Sequence, residues 1–264
     1  MKATLFDLEG KKIASIDLPS QFNESYHPDL IKRAISAIRN NSRQSYGAFK
    51  LAGTRPSISL SRRRHVYKTT YGFGISRVPR KILSGRGSRF NWVGAFAPGT
   101  VSGRRAHPPK SDKIWKVKIN KKERKKAIRS ALKALTMKEL ISHVNIQEIP
   151  IVIESKFEDL TKAKEALAVL KKLGLSNIIG KASSRTVRAG KGKSRGRKYR
   201  QKKSALIVVS GNCRLESAAS NIPGIDIIQV RLLNAALLTQ GHAPRLAIFT
   251  DKALDKMKQD NLFN

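Results

Sequence analysis

The chain has 264 residues, 40% of them hydrophobic, which is enough to form a buried core of ordinary domain size. Its 54 lysines and arginines against 18 acids give a formal net charge of +36, and this self-repulsion predicts a polyanionic partner, with nucleic acid favoured over an anionic membrane surface. The sequence has no run of about 18 apolar residues, no signal-peptide core and a single cysteine, so we expect no membrane span, no internal disulfide and a reducing, cytoplasmic setting.

The predicted elements begin with a hairpin of two short strands around EGKK at residues 9–12. The stretch HPDLIKRAISAIRN then places apolar residues at helical spacing, with Asp29 in the first turn, where a negative charge suits the helix dipole. A second helical region spans residues 119–144 and is expected to break near Thr136, with the basic residues 121–126 facing outward. That basic face is equally consistent with a solvated surface and with phosphate contact.

The second half of the chain alternates strands and helices. Short apolar runs predict four buried strands, at residues 148–154, 205–211, 224–230 and 245–250. Gly174 is expected to end the helix that follows the first of them, and Thr250 to cap the last helix. The alternation predicts an α/β fold with a mainly parallel sheet flanked by helices, built as a single domain over residues 1–264.

Two long segments contain no acidic residue, Leu30–Ser111 and Ala166–Leu215. Within the first, residues 45–111 show neither helical nor strand periodicity, yet hold fourteen lysines and arginines and eight of the sixteen aromatic residues. Disordered segments are poor in aromatic residues, whereas RNA contact uses guanidinium groups on phosphates and rings on unpaired bases. We therefore predict a long extended basic loop, inserted near the N-terminus, that contacts RNA.

Residues 180–203 form a second basic segment, with eleven lysines and arginines and Tyr199 as their one aromatic residue. The GKGKS within it does not match a phosphate-binding P-loop, because that motif requires glycine where Val187 stands and a strand leading directly into it. We predict a second basic loop that lies on RNA phosphates.

The sequence offers no catalytic or cofactor-binding constellation. None of the five histidines forms an H-x-x-x-H pair, no G-x-S-x-G motif occurs, and the scarce acids lie mostly beside lysines on predicted helices. Cys213 is interpreted as a small, part-buried residue rather than a nucleophile, and alone it excludes a cysteine-based zinc site. We predict no enzyme activity, no cofactor and no metal.

Four stretches carry a resemblance to a known family: GRGSRFNWVGAFAPGTVSGRRAHPPK (85–110), INKKERKKAIRSAL (119–132), GKGKSRGRKYR (190–200) and RLLNAALLTQGHAPRLAIFT (231–250). Together they resemble ribosomal protein four of the large subunit, in its archaeal and eukaryotic branch, over essentially the whole chain. The resemblance implies one α/β domain on the outer face of the large ribosomal subunit, and a role in its early assembly. It also implies a long loop that penetrates the rRNA and helps to line the nascent-peptide exit tunnel.

The resemblance implies both partners and site residues for this chain. Its partners would be large-subunit rRNA, neighbouring ribosomal proteins including another tunnel-loop protein, and the nascent peptide in passing, with no membrane. The residues expected to bind rRNA are the cations and rings of the basic segments: Arg55, Arg62, Arg63, Arg64, Lys68, Tyr71, Arg77, Arg80, Lys81, Arg86, Arg89, Phe90, Trp92, Arg104, Arg105, His107, Lys110, Lys121, Lys122, Arg124, Arg185, Arg188, Lys191, Lys193, Arg195, Arg197, Lys198, Tyr199 and Arg200. Those expected nearest the tunnel are Arg77, Arg80, Lys81, Arg86 and Arg89.

Two other functions stay open at this stage. A non-ribosomal nucleic-acid chaperone or architectural protein would bind many nucleic acids without a stoichiometric place in the ribosome. An RNA-acting enzyme would show a pocket with converging acids or a cofactor.

Overall fold

A computed structural model of the chain describes residues 1–59, 61–141, 148–240 and 243–264. These residues form two compact units. The core unit consists of Met1–Asn41 with Val117–Asn264, and the inserted unit consists of Ser42–Lys116.

The described residues form short strands and mostly short helices. The strands are β1 (Lys2–Phe6), β2 (Lys12–Asp17), β3 (Arg80–Arg86), β4 (Arg89–Gly94), β5 (Ile151–Ile153), β6 (Arg185–Val187), β7 (Tyr199–Gln201), β8 (Leu206–Val209), β9 (Asp226–Gln229), β10 (Thr239–Gln240), β11 (Ala243–Pro244) and β12 (Ala247–Thr250). The α-helices are α1 (Pro28–Asn41), α2 (Lys121–Ala134), α3 (Ala163–Leu170), α4 (Ser176–Ser183), α5 (Arg214–Ala219), α6 (Ala235–Leu238) and α7 (Asp251–Gln259). Single 3₁₀ turns lie at Ser20–Asn23, Lys138–Ile141, Ser155–Asp159 and Val230–Leu232, and a π turn lies at Lys171–Leu175.

The main sheet of the core unit has six strands in the order β2-β1-β5-β12-β8-β9. β2 pairs antiparallel with β1, and every other pair of neighbours is parallel. Parallel neighbours cannot be joined by tight turns, and the intervening segments of the core unit carry helices. The predicted α/β class with a mainly parallel sheet is therefore confirmed.

Helices cover both faces of this sheet, which explains why its strands read as continuous apolar runs. Val208 and Phe249 point into one buried layer, which they share with Ile31 of α1. Their strand neighbours Ile207 and Ile248 point into the opposite layer, which also holds residues of α3 and α5. Each strand thus contributes alternate side chains to two separate cores.

Several local predictions are confirmed. The N-terminal hairpin is β1 with β2, and the second helical region ends at Ala134, just before the expected break near Thr136. Gly174 has a φ of +83° after α3, and the Thr250 hydroxyl accepts a hydrogen bond from the Ala253 N–H as the cap of α7. Residues 142–144 of the predicted helical region, with His143, and also His242 lie outside the described residues.

The prediction that residues 45–111 lack strand structure is wrong for residues 80–94. β3 and β4 form an antiparallel hairpin in which Arg86 pairs with Arg89 around the two-residue turn Gly87–Ser88. Gly87 has a φ of +58°, the left-handed conformation that a tight hairpin turn needs at its first position. Alternation within β4 is short: Phe90 and Trp92 are half-buried, while the exposed Asn91 between them donates to the Ser84 hydroxyl at 2.9 Å.

The basic segment 180–203 is likewise more ordered than a loop. It begins within α4, and its middle is bracketed by the antiparallel pair β6 and β7. The backbone N–H of Arg188 donates to the Lys198 carbonyl at 2.8 Å, which extends this pairing by one step. The sequence signal for these strands is weak, because each has three residues and, of all six, only Val187 and Tyr199 are apolar or aromatic.

Two ionisable side chains are buried in the core unit. The Glu158 carboxylate accepts hydrogen bonds from the Ser210 N–H at 2.8 Å, the Ser210 hydroxyl at 2.7 Å and the Thr250 hydroxyl at 2.5 Å. Arg245 is 5% exposed and donates to Asp226 at 2.5 Å and to the carbonyls of Ala205 and Gly224 at 2.7 and 2.9 Å. Both groups connect strand ends that are far apart in the sequence.

The two core-unit positions that flank the inserted unit are bonded to each other. The Asn41 side-chain amide donates to the Val117 carbonyl at 3.2 Å, and its oxygen accepts from the Val117 N–H at 2.8 Å. One side chain at the end of α1 thereby satisfies both backbone groups of the residue where the core unit resumes.

Candidate nucleic-acid interface

The inserted unit is almost purely cationic. Residues 42–116 contain seventeen lysines and arginines and one acid, Asp112. In the described part of the chain the ion pairs join residues of the core unit, and none involves a cation of the inserted unit. The positive charge of this unit is therefore not neutralised from within.

One face of the β3–β4 hairpin carries a continuous series of rings. Phe90 lies 5.4 Å from Trp92, Tyr67 lies 5.5 Å from Phe90, and Phe73 lies 6.3 Å from Trp92, all measured between ring centroids. The Phe90 ring also covers Gly85 on β3, where a Cβ atom would come within 2.7 Å of the ring. The predicted RNA-stacking rings Phe90 and Trp92 are thus half-buried and pack against each other.

Other rings of the inserted unit are covered by guanidinium groups. Tyr71 has Arg77 at 4.6 Å and Arg64 at 5.4 Å from its ring centroid, and Phe49 has Arg55 at 4.5 Å. Such cation–π contacts hold a guanidinium close to a ring without neutralising its charge. The arginines are thereby positioned and remain positive.

The first and last segments of the inserted unit run side by side. The Ala48 N–H donates to the Pro109 carbonyl at 2.9 Å. A Cβ atom on Gly47 would meet the Ser111 backbone at 2.7 Å, and one on Gly53 would meet the Arg104 backbone at 2.6 Å. Glycine is required at both positions because the two backbones approach too closely for a side chain.

A second aromatic cluster joins these segments. The rings of Tyr46 and Trp115 stack with centroids 4.8 Å apart and an interplanar angle of 29°. The Arg43 guanidinium and the Lys113 ammonium each lie 4.9 Å from the Trp115 ring. Three of these four residues fall outside the predicted loop boundaries of 45–111.

The β6–β7 hairpin of the core unit presents a second cationic surface. The Arg188 guanidinium donates to the Arg197 carbonyl at 3.2 Å, and the Ser194 hydroxyl donates to the Lys191 carbonyl at 3.0 Å. Val187 and Tyr199, paired across the strands, are both exposed. Arg188 therefore stabilises the turn as well as adding charge to the surface.

The basic start of α2 forms a third cationic surface. Lys121, Lys122 and Arg124 are exposed, whereas Glu123 pairs with Arg33 of α1 at 3.0 Å. Further along the helix, Arg129 donates to Glu24 at 2.9 Å and to the Phe263 carbonyl at 2.6 Å. The outward face predicted for residues 121–126 is confirmed, and Arg129 instead serves the packing of the core unit.

The predicted rRNA-binding residues differ in exposure within the inserted unit and not within the core unit. In the inserted unit Lys68, Tyr71, Arg80, Lys81, Phe90 and Trp92 are half-buried, and the others are exposed. In the core unit all the predicted residues are exposed. Arg80 donates to the Ser76 hydroxyl at 2.8 Å and to its carbonyl at 3.2 Å, so it also supports the base of the hairpin.

Sequence reasoning missed Arg43, Tyr46, Lys113 and Trp115 as site residues. A signal was present, because Trp115 stands between lysines in KIWKVK, the same mixture of rings and cations that marked the loop. The pairing of Tyr46 with Trp115 could not be read from the sequence, since 68 positions separate them.

Two features are absent from the described residues: a metal-binding cluster and a membrane-spanning helix. They contain no group of three or more His, Cys, Asp or Glu placed to hold a metal ion. None of their helices is long and apolar enough to cross a membrane. Cys213 is half-buried, and burial raises the pKa of its thiol, which agrees with its interpretation as a packing residue.

These surfaces define the chain as an α/β scaffold protein that carries clustered, unneutralised positive charge. Residues 16–260 match the model of the Ribosomal protein L4/L1 family. Proteins named "Large ribosomal subunit protein uL4" are 44% identical in Nanoarchaeum equitans, over 100% of both chains, and 42% identical in Methanocaldococcus jannaschii, over 98% of this chain and 99% of that one. The protein of the same name from Archaeoglobus fulgidus is 38% identical over 97% of both chains.

The chain belongs to the ribosomal protein L4/L1 family. It is accordingly a structural protein of the large ribosomal subunit, of the type found in archaea, and not an enzyme. The predicted resemblance and the predicted absence of enzyme activity are both confirmed.

Proposed function

We propose that this protein binds large-subunit rRNA through its three cationic surfaces and supports early assembly of the subunit in the cytoplasm. The observation that carries the proposal is the inserted unit, in which seventeen cations face one acid and form no ion pair among the described residues. A surface of this kind is stabilised by an external polyanion, and rRNA is the polyanion of the ribosome.

Binding would be driven by release of counterions from RNA phosphates. Each phosphate neutralised steepens the dependence of affinity on salt, with a slope of roughly 0.7–0.9 per contact. Arg195 and Arg200 of the β6–β7 hairpin are exposed and are therefore suited to phosphate contact. In the described structure the Arg195 guanidinium donates no hydrogen bond. Neighbouring ribosomal proteins would then pack against the RNA and the core unit.

We further propose that the extended basic segment, residues 45–111, reaches the nascent-peptide exit tunnel beside another loop-bearing protein. The turn of the β3–β4 hairpin supports this role, because Arg86 and Arg89 flank it and both are exposed. Arg77, Arg80 and Lys81 lie nearer the base of the hairpin and would border the tunnel wall. The rings on the hairpin face would keep this turn rigid.

The first test is co-sedimentation of the tagged full chain with ribosomal subunits, before and after a high-salt wash and RNase treatment. We expect a stoichiometric signal in the large-subunit peak that survives salt and is lost with RNase. A signal spread through the light fractions and removed by moderate salt would overturn the proposal and favour a non-ribosomal nucleic-acid binder.

The tunnel role has a separate test. A photo-crosslinking amino acid is placed at Arg86 or, as a control, at exposed Arg231 of the core unit, and ribosomes carrying a stalled, labelled nascent chain are irradiated. We expect crosslinks to the nascent chain from position 86 and none from position 231. Equal crosslinking from both positions, or none from position 86, would contradict a place at the tunnel.

A further inference from the structure

A cavity of about 790 Å³ lies within the inserted unit. Tyr46 and Trp115 form one wall, and Arg105, Lys110, Asp112 and Lys113 are among the residues that line the rest. This volume falls in the range of small-molecule sites, about 300–1,000 Å³, and is large enough for one nucleotide. We refer to it as the Tyr46–Trp115 pocket.

We propose that the Tyr46–Trp115 pocket holds one unpaired nucleotide of the bound RNA, with its base stacked on Tyr46, its phosphate held by Arg105 and Lys110, and its exocyclic amino group bonded to Asp112. The inference rests on the proposed RNA binding and adds to it a site that reads a single base. It predicts that the pocket prefers adenine, cytosine or guanine, which carry an exocyclic amino group, over uracil.

The aromatic wall is built to receive a flat ring. Tyr46 is stacked on Trp115 and is still 51% exposed, so part of the pair is open to a ligand. The cations Arg43 and Lys113 hold the Trp115 ring in place, each at 4.9 Å. Unpaired bases are bound by stacking on such rings, and the stacking itself tolerates any base.

The indole N–H of Trp115 is buried without an acceptor in the described part of the chain. A buried donor without a partner is unfavourable, and folded proteins contain few of them. Because this N–H is also closed to solvent, it does not face the open space of the pocket, and Trp115 contributes to the pocket through its ring.

Charge in the pocket favours a phosphate. Arg105, Lys110 and Lys113 line it and form no ion pair among the described residues. Asp112, the sole acid of the inserted unit, nevertheless lies in the same lining, where it repels phosphate. Its carboxylate accepts one long hydrogen bond, from the Ser111 hydroxyl at 3.3 Å, so it can accept from a base amino group as well.

The test uses the full-length chain and short single-stranded RNAs of equal length: oligo(A), oligo(C), oligo(U) and an abasic ribose-phosphate oligomer. Anisotropy of end-labelled RNA gives the affinity. The emission of Trp115 is obtained as the difference between the wild-type chain and Trp115→Phe, because the other tryptophan, Trp92, is common to both. Ile114→Ala is the matched control, since Ile114 is exposed beside Trp115 and does not line the pocket.

We expect Trp115 emission to respond to oligo(A) and oligo(C), less to oligo(U), and not to the abasic oligomer. Tyr46→Ala should weaken binding of oligo(A) about tenfold and leave the abasic oligomer unaffected, because base stacking is lost while phosphate contacts stay. Asp112→Ala should remove a preference of about fivefold or more for oligo(A) over oligo(U). Ile114→Ala should change none of these values.

The pocket is disproved if Trp115 responds equally to the abasic oligomer, if Tyr46→Ala leaves the affinity for oligo(A) unchanged, or if no oligomer binds. Base reading by Asp112 is disproved if the preference survives Asp112→Ala. These outcomes differ from failure of the proposed function. If the chain enters the large-subunit peak but Trp115 emission does not change with any oligomer, the proposed rRNA binding stands and only the nucleotide pocket is refuted.

Discussion

Glu158 connects three strand ends in the core unit. It follows β5, and its carboxylate takes hydrogen bonds from Ser210, after β8, and from Thr250, which ends β12. Because the same Thr250 hydroxyl caps α7, this carboxylate also fixes the start of the last helix. Hydrogen bonds to a charged group are the stronger kind, about 1.5–3 kcal/mol each by mutation.

Glu158→Gln should lower the free energy of unfolding of the core unit by about 1.5–3 kcal/mol, since the side chain keeps its shape and loses its charge. Far-UV circular dichroism in urea measures this loss, because the described α-helices lie in the core unit. Tryptophan fluorescence would instead report the inserted unit, which holds Trp92 and Trp115. Glu165→Gln is the control, an exposed member of an i,i+3 pair with Lys162, and should cost under about 0.5 kcal/mol. An equal decrease in the free energy of unfolding in the two variants would show that the hydrogen bonds of the Glu158 carboxylate do not stabilise the core unit more than an exposed ion pair does.

Asp226 gives the core unit a dependence on acid. Burial alone would raise the pKa of Asp226, but the hydrogen bonds and charges of Lys203 and Arg245 outweigh it and lower the pKa below its usual 3.8. The folded chain therefore holds the proton less tightly than the unfolded chain. The stabilisation is complete above the unfolded pKa and is lost as the pH falls through the lower, folded value.

Asp226→Asn should destabilise the core unit at pH 7 by about 2–3 kcal/mol, because it leaves the Arg245 guanidinium buried without its counterion. The same variant should lose less stability than the wild type between pH 7 and pH 3. Urea unfolding followed by circular dichroism at both pH values tests this. Asp17→Asn, at an exposed position, should follow the wild type. Parallel losses in wild type and Asp226→Asn would exclude Asp226 as the acid-sensitive group.

At the scale of elements, the regular core and the N-terminal hairpin were predictable, and the β3–β4 and β6–β7 hairpins were not. Runs such as ALIVVSG and the helical spacing of HPDLIKRAISAIRN carry their signal within one element, and both elements formed as predicted. The β3–β4 hairpin has a turn signal, Gly87–Ser88, but its strands have too few apolar residues for clear alternation. Its order comes from rings on separate segments, such as Tyr67 against Phe90, which sequence periodicity cannot reveal.

Gly85→Ala should disturb the β3–β4 hairpin and leave the core unit intact. The added Cβ would meet the Phe90 ring at 2.7 Å and push it away from Trp92, at a cost of about 1–3 kcal/mol to the inserted unit. Trp92 emission in a Trp115→Phe background should shift, while the circular dichroism midpoint changes by under about 0.5 kcal/mol. Gly180→Ala, where a Cβ meets nothing within 4 Å, should leave Trp92 emission unchanged. An unaltered Trp92 signal in Gly85→Ala would show that the ring series does not depend on this glycine.

At the scale of the whole molecule, the sequence predicted where the positive charge is concentrated and not how it is arranged. The acid-free stretch before Ser111 corresponds to most of the inserted unit, whose boundaries are Ser42 and Lys116. Composition identified this segment because charge and aromatic content add along the chain. The Tyr46–Trp115 stack and the close backbone approach at Gly53 depend on contacts between distant residues, which composition does not contain.

Removal of residues 50–108 should leave the core unit folded, because both of its buried layers are formed by core-unit residues. The circular dichroism midpoint in urea should stay within about 1 kcal/mol of the full chain. Incorporation into the large-subunit peak should fall sharply, since thirteen of the seventeen cations of the inserted unit are gone. A shortened chain that assembled and supported translation normally would refute the role proposed for the inserted unit.

The hydrogen bonds of the Asn41 amide affect how well the core unit tolerates insertions and deletions in the inserted unit. Because Asn41 bonds both backbone groups of Val117, the 75 intervening residues form a tether whose two ends are neighbouring points of the core unit. The entropy of closing such a tether grows with the logarithm of its length, by about 0.6 kcal/mol for each doubling. A change in the length of that tether is therefore expected to cost the core unit little folding free energy.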